Sequence, residues 1–182
     1  MSVDHSVYAT AAGHGRGGDA PANVGLSLRP AAIEDATILW QWRNESQTRA
    51  MSRHSSMIPW ETHIAWFTKH LANADAMTLI GLQGGEPVGV VRFDRRPDGA
   101  AEVSINIAAH VRGHGLGKRL LQRGCEHADR AGYARVFAAE VKTDNVSSRR
   151  LFEGSGFGIV SSDEEWVMYC RRNPAALEAD SK

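Results

Sequence analysis

The chain has 182 residues, of which 42% are hydrophobic, and this is enough for one domain with an ordinary core. Its formal net charge is zero and its isoelectric point is near 7.1, so no overall positive field favours nucleic acid or an anionic membrane as a partner. No apolar run reaches membrane-spanning length, and the N-terminus lacks a signal-peptide core. The two cysteines give no disulfide framework and indicate a reducing compartment, so we expect a cytoplasmic protein.

The order of apolar patterns along the chain predicts one α/β domain over residues 25–173. Residues 1–24 have little apolar bulk, and we expect them to form a disordered arm; residues 174–182 should form a loose tail. Within the domain, the spacing of apolar residues predicts strands at 26–29, 77–82, 88–93, 103–108, 135–141 and 165–171, and helices at 33–44, 59–71, 116–131 and from Asn145 onward. This order predicts a mixed sheet of six to seven strands with helices on both faces.

The most distinctive segment is Arg112-Gly113-His114-Gly115-Leu116-Gly117, between a predicted strand and a predicted helix. A strand, a glycine-rich turn and a helix direct free backbone N–H groups and the positive end of the helix dipole toward one place, which suits a phosphate. The spacing excludes a P-loop and the G-x-G-x-x-G fingerprint of dinucleotide sites. An ordinary strand-to-helix turn is the structural alternative.

Two motifs in this chain resemble those of the GCN5-related N-acetyltransferase (GNAT) family. The Arg-x-x-Gly-x-Gly spacing of residues 112–117 is similar to the family's pyrophosphate-binding motif. The segment from Asn145 to Phe157 is similar to its second signature, Asn-x-x-[Ser/Ala]-x-x-[Leu/Ala]-[Tyr/Phe]-x-x-x-Gly-Phe. The predicted strand at 135–141 lies between them, as the family requires. The resemblance covers roughly residues 26–172 and implies the GNAT fold, with acetyl-CoA as co-substrate of an N-acetyltransferase.

This resemblance also implies which residues bind the cofactor. In the family, the pantetheine arm of acetyl-CoA pairs with the fourth strand, and the loop amides hold its diphosphate. The corresponding residues here are Asn106, Ile107, Ala108, Arg112, Gly113, His114, Gly115, Leu116, Gly117 and Lys118, with Asn145, Ser148 and Phe152 from the second motif. We expect the three loop glycines to let phosphate oxygens approach the N–H groups. Asn145 caps its helix, touches the cofactor, or does both.

The catalytic acid and base are less well defined by the motifs. Many relatives carry a tyrosine acid where this chain has Phe152, so either the thiolate leaves unaided or Tyr169 supplies the proton. The resemblance implies Glu102 as the base, because some relatives place a glutamate at the start of the fourth strand that acts through water; strand alternation also puts it on one face with Ser104, Asn106 and Ala108. The alternative is that Glu102 only marks a solvent-exposed strand end. His110 is a second candidate for the base. We expect no metal site, since His110 and His114 lie on a turn.

The acceptor-binding residues are predicted in the first helix and the loop that follows it. The segments 40–49 and 88–94 resemble acetyltransferases that modify nucleotide-linked amino sugars. Tryptophans can stack on a base or sugar and arginines can hold a diphosphate, so we expect Trp42, Arg43 and Arg53 to contact the substrate. Trp40 and Trp42 cannot share a helix face, so at least one should be a core residue.

Three functions remain open at this point. The first is N-acetylation of an amino sugar linked to a nucleotide. The second is acetylation of a protein N-terminus or of a small amine such as an antibiotic or a polyamine, although a neutral chain without an acidic run argues against polyamines. The third is a non-catalytic acyl-CoA-binding module, which Phe152 favours. In each enzymatic case the partner is an amine substrate, with no nucleic acid or membrane, and the choice between a monomer and a homodimer stays open.

Overall fold

The computed structural model of the protein describes residues 25–174. The predicted N-terminal arm and the tail after Pro174 lie outside the described residues. The elements are β1 (Leu26–Pro30), a 3-10 turn (Ile33–Asp35), α1 (Ala36–Asn44), α2 (Ser46–Ala50), α3 (Trp60–Leu71), β2 (Ala76–Gln83), β3 (Glu86–Arg95), β4 (Ala101–Ile107), a 3-10 turn (Ala109–Val111), α4 (Leu116–Arg130), β5 (Val136–Lys142), α5 (Val146–Glu153), β6 (Gly158–Ser162) and β7 (Trp166–Arg172).

The strands form one seven-stranded sheet in the order β1-β2-β3-β4-β5-β7-β6. Every neighbouring pair is antiparallel except β4 and β5, which are parallel. The predicted mixed sheet is therefore confirmed. The sequence patterns did not define two elements, α2 and β6. All five residues of β6 are exposed and none of α2 is buried, so neither has the apolar periodicity from which an element is recognised.

Helices cover both faces of the sheet, as predicted. The larger core lies between the sheet and α4, whose apolar stripe includes the fully buried Leu120 and Leu121. Gly124 brings α4 close to β3, because a Cβ there would stand 2.6 Å from a methyl carbon of Val91. A smaller core on the opposite face joins α1 and α3 to the sheet around Phe67 and Ile80.

Both tryptophans of α1 contact the rest of the protein. Trp42 packs at the border of the smaller core, while the Trp40 indole donates a hydrogen bond to the Ile58 carbonyl at 2.8 Å. The Trp40 ring also meets Trp60 edge to face, with centroids 5.7 Å apart. The expectation that at least one of these residues belongs to the core is confirmed.

The parallel strands β4 and β5 pair over a short distance only. Their ladder consists of Ala101 with Phe137 and Glu102 with Ala138. Beyond these pairs β4 continues along β3 as far as Ile107, and β5 continues along β7 as far as Lys142. The two strands therefore separate toward their C-terminal ends. We call the space between residues 103–107 and 139–142 the strand opening.

Candidate active site

The glycine-rich loop follows β4 at the open end of the sheet and leads into α4. Gly113 and Gly115 have φ angles of 82° and 73°, a left-handed conformation that glycine adopts without steric cost. Among the hydrogen bonds of residues 25–174, none uses the amides of residues 113–118. These N–H groups and the positive end of α4 are therefore available to an anionic ligand.

Gly117 serves a different purpose from the other two glycines. A Cβ at this position would lie 2.6 Å from Cδ1 of Leu151 in α5. The absence of a Cβ at Gly117 therefore lets α4, which follows the glycine-rich loop, pack closely against α5, the helix of the second motif. Of the neighbouring predicted loop residues, His114 and Lys118 are exposed, whereas the Leu116 side chain is buried in the larger core.

Arg112 joins the glycine-rich loop to α2 through its guanidinium. Its Nε donates to the Ile107 carbonyl at 2.9 Å, and Nη1 donates to Gln47 Oε1 at 2.9 Å. Nη2 donates to Glu45 Oε2 at 2.8 Å and to Thr48 Oγ1 at 3.1 Å. The hydrogen bond from Arg112 is the largest cause that lowers the pKa of the Glu45 carboxyl. The guanidinium of Arg112, which was predicted to bind the cofactor, is thus engaged in hydrogen bonds within the protein.

The edge of β4 presents backbone groups to the strand opening. The amide of Ala108 donates to the Val88 carbonyl at 3.0 Å and so points toward β3. Strand alternation then directs the amide of Asn106 toward β3 and those of Ile105 and Ile107 into the opening. Of the three predicted pantetheine-binding residues, Ile107 fits by this geometry, while Ile105 was not predicted. The Asn106 side chain instead donates to the Trp42 carbonyl at 3.1 Å.

The second motif forms α5 as predicted. Asn145 caps this helix, because its Oδ1 accepts a hydrogen bond from the Ser148 amide at 3.1 Å. Ser148 itself is half-buried, whereas Phe152 is almost fully buried. The Phe152 ring meets Phe157 edge to face at 5.1 Å between centroids, and stacks with Tyr169 at 6.0 Å. Phe152 is thus a packing residue of the larger core.

Tyr169 lies on the same side of the sheet as Phe152, and its side chain is fully buried. Its hydroxyl donates to Glu153 Oε1 at 2.8 Å and accepts from Arg149 Nε at 3.4 Å. Burial is the largest cause that raises the pKa of this phenol. The hydroxyl of Tyr169, the predicted acid, therefore already donates a hydrogen bond to the Glu153 carboxylate in α5. Its catalytic role stays a prediction.

Glu102 lies at the point where the strand opening begins. It belongs to the last β4–β5 pair and stands opposite Asp94 of β3. The residue is exposed, and the hydrogen bonds and ion pairs of residues 25–174 include none to its carboxylate. His110 is also exposed, on the turn after β4. Within the same residues no cluster of His, Cys, Asp and Glu could hold a metal ion.

The loop after α2 reaches across to β5 through Arg53. Its guanidinium forms a salt bridge with Glu140, with Nε 3.2 Å from Oε2, and lies 4.7 Å from the ring centroid of Trp166. Glu140 follows Ala138 on the face of β5 that Glu102 shares on β4. The strand pairing that brings Glu140 near the opening joins residues distant in sequence, so no local pattern indicates it.

Arg43 ends α1 beside the polar residues of β4. Its Nη2 donates to the His54 carbonyl at 2.9 Å, whereas its buried Nη1 has no partner among residues 25–174. Burial, followed by the charges of Arg92 and Arg49, lowers the pKa of this guanidinium. Trp42, also predicted to contact substrate, places its ring at the border of the smaller core.

The fold and the loop together define an acetyltransferase. The sequence matches the profile of the acetyltransferase (GNAT) family over residues 36–157, more than half of the chain. The chain belongs to this family, and the resemblance inferred from its two motifs is confirmed. A search among curated proteins found no match. None of the helices between residues 25 and 174 has the length and apolar character needed to cross a bilayer.

Several solved structures are similar to the chain. The spermidine N-acetyltransferase of Vibrio cholerae, solved with CoA and spermine, has a TM-score of 0.74 at 16% identity and covers 85% of this chain and 99% of its own. RimL, a ribosomal L7/L12 α-N-protein acetyltransferase in complex with coenzyme A, has a TM-score of 0.72 at 20% identity, with coverages of 85% and 98%. An N-acetyltransferase from Staphylococcus aureus Mu50 has a TM-score of 0.69 at 22% identity, with coverages of 81% and 98%.

Proposed function

We propose that this protein transfers the acetyl group of acetyl-CoA to a primary amine. The observation that carries the proposal is the run of amides at residues 113–118, which have no partner within residues 25–174 and lie at the start of α4. The related structures of RimL and of the spermidine enzyme hold coenzyme A. A diphosphate at the loop would place the pantetheine arm beside the opening, where Ile105 and Ile107 can bond it.

The acceptor amine would approach from the face that carries Glu102. An ammonium group cannot attack a thioester, so the amine must lose a proton before or during the reaction. Glu102 is an exposed carboxylate at the start of the opening, and it can take this proton directly or through a water. The thioester carbonyl would be polarised by an amide of β4, and the enzyme would gain further from holding both reactants together.

We propose further that the acceptor is an amino sugar linked to a nucleotide. The partly buried Arg43 and the nearby Arg92 give the acceptor face the positive charge that a diphosphate needs. The acceptors named for related structures are different, since RimL acts on a protein N-terminus and the Vibrio cholerae enzyme acts on spermidine. The test measures thiol release from acetyl-CoA with a panel of acceptors. The panel contains nucleotide-linked amino sugars, N-terminal peptides, aminoglycosides and polyamines, and the rates rank them.

Binding of the cofactor is tested by thermal unfolding. At a concentration one hundred times its dissociation constant, acetyl-CoA should stabilise the fold by about 2.7 kcal/mol, a rise in Tm of roughly 5–10 °C. Gly115→Glu should abolish this rise, because it adds bulk and negative charge among the phosphate-binding amides.

The matched control is Gly99→Glu in the β3–β4 turn. Its φ of 81° resembles that of Gly115, and both sites have open space around the missing Cβ. The control should lose similar stability yet keep the full response to acetyl-CoA. A wild-type Tm that does not respond to acetyl-CoA would remove the main support for the proposal.

A further inference from the structure

The face of the sheet that carries Glu102 also carries Arg92, which pairs with Asp94 and lies near Arg43 of α1. Arg92 on β3 stands opposite Ser104 on β4, and Arg43 ends the helix whose Trp42 carbonyl binds Asn106. The two arginines therefore flank the polar residues of β4. The charges that act on Arg43 are those of Arg92 and Arg49, both of the same sign. Like charges beside a partly buried guanidinium are unfavourable unless an anion compensates them.

Arg92 is held in place with its outer nitrogens free. Its Nε donates to Asp94 Oδ2 at 2.7 Å, and its guanidinium lies 5.3 Å from the ring centroid of Trp66. Within residues 25–174 no hydrogen bond uses its Nη1 or Nη2. A guanidinium fixed by one carboxylate and one aromatic face is preorganised to bind an oxyanion with its two remaining nitrogens.

Arg49, by contrast, is already engaged. Its Nε donates to the Asn44 carbonyl at 3.1 Å, and its Nη1 donates to the Ser55 carbonyl at 3.0 Å. It adds charge to the neighbourhood while it holds the loop after α2. The donors that an acceptor can reach are therefore the two outer nitrogens of Arg92, whereas the Nη1 of Arg43 is buried and contributes its positive charge from beneath.

We infer that Arg92, with the positive charge of Arg43 beside it, binds an oxyanion of the acceptor, a carboxylate or a phosphate group, and that this enzyme selects anionic amines. The inference rests on the proposed acetyl transfer and specifies its substrate class. The anion lies one strand away from the opening, so it anchors the acceptor while the amine faces Glu102. A purely cationic polyamine has no group for this pair and gains nothing from it.

The first experiment measures anion binding without any turnover. Inorganic phosphate is titrated at constant ionic strength against the protein saturated with coenzyme A, which occupies the glycine-rich loop. Phosphate should raise the Tm of the wild type and should fail to raise that of Arg92→Gln. Arg96→Gln is the matched control, because Arg96 is an exposed arginine whose partner is the exposed Asp98. A response equal in all three proteins, or absent from the wild type, would overturn the inference.

The second experiment compares acceptors in matched pairs. Amino acids are tested against their amides, and phosphate-bearing amino sugars against their free sugars, so that the source of the anion is distinguished. Arg92→Gln should raise KM for the anionic member of the active pair about tenfold to a hundredfold, with kcat and the KM for acetyl-CoA little changed. Arg92→Lys should recover part of this loss.

The outcomes separate the inference from the proposed function. Equal kcat/KM for charged and uncharged partners, unchanged in Arg92→Gln, would refute the anion subsite while acetyl transfer stands. Failure to acetylate any amine, despite binding of acetyl-CoA, would refute the proposed function, and the phosphate titration would still decide whether Arg92 binds an oxyanion.

Discussion

Removal of the Arg112 side chain should destabilise the protein through the contact between the glycine-rich loop and α2. The guanidinium donates five hydrogen bonds, of which the one to Asn106 is long at 3.5 Å and the one to Glu45 joins two charged groups. Arg112 and Glu45 side chains are 28% and 30% exposed, so solvent screens their attraction in part. After this discount we expect Arg112→Ala to cost about 2 kcal/mol, a fall in Tm of roughly 4–8 °C.

The pH dependence of this loss provides a second measurement. The Arg112 hydrogen bond lowers the pKa of Glu45, so the folded protein binds this proton less readily than the unfolded chain. The stabilisation is therefore complete above the ordinary glutamate pKa, and it is lost as pH falls through the lower folded value. The Tm difference between wild type and Arg112→Ala should be largest near neutral pH and should shrink in acid.

Arg96→Ala serves as the control for loss of an arginine, because its pair with Asp98 is exposed and lies on one turn. It should leave Tm nearly unchanged, and a double-mutant cycle of Arg112→Ala with Glu45→Ala should give a coupling above about 0.5 kcal/mol. If Arg112→Ala matches this control in Tm at every pH, the assignment of Arg112 as a structural link is wrong.

Two further substitutions test the chemistry. Glu102→Gln should keep acetyl-CoA binding and lower kcat/KM by about 10²–10⁴-fold, with a smaller defect at higher pH where more amine is already neutral; an unchanged rate and pH profile would exclude Glu102 as the base. Phe152→Tyr should give equal or higher turnover, whereas Phe152→Ala should lose about 3–5 kcal/mol in chemical denaturation because the ring is buried. A wild type inactive on every amine and rescued by Phe152→Tyr would instead identify a non-catalytic binder.

The sequence predicted most of the fold because the signals of its main elements are local. The hairpin between β2 and β3 is one example, since both strands were predicted and Gly84 and Gly85, both with positive φ, form the short turn between them. The stripe of α4 and the Asn145 cap of α5 are equally local features. The short polar helix α2 and the exposed strand β6 have no such pattern, and their positions depend on tertiary contacts.

The candidate site was predictable only in part, for the same reason. The glycine-rich loop and Glu102 were predicted as site residues from residue type, spacing and the resemblance to the family, and these roles stay predictions. The engagement of Arg112 by α2, the pairing of Arg53 with Glu140, and the place of Arg92 beside Ser104 all join residues that are distant in sequence. A motif specifies a residue type at a position, but the direction in which a long cationic side chain turns depends on partners that only the fold supplies.

The short β4–β5 ladder has a consequence for the order in which the protein folds. β2, β3 and β4 follow one another within residues 76–107 with only short turns between them, and β5 to β7 lie within residues 136–172. The parallel joint closes a longer loop than the turns between β2, β3 and β4, because the helix α4 lies within it, and it brings only two residue pairs. We expect it to form late, with the edge-to-face contact of Phe93 and Phe137 as its apolar support. Catalysis would then take place at the joint where two locally folded units meet.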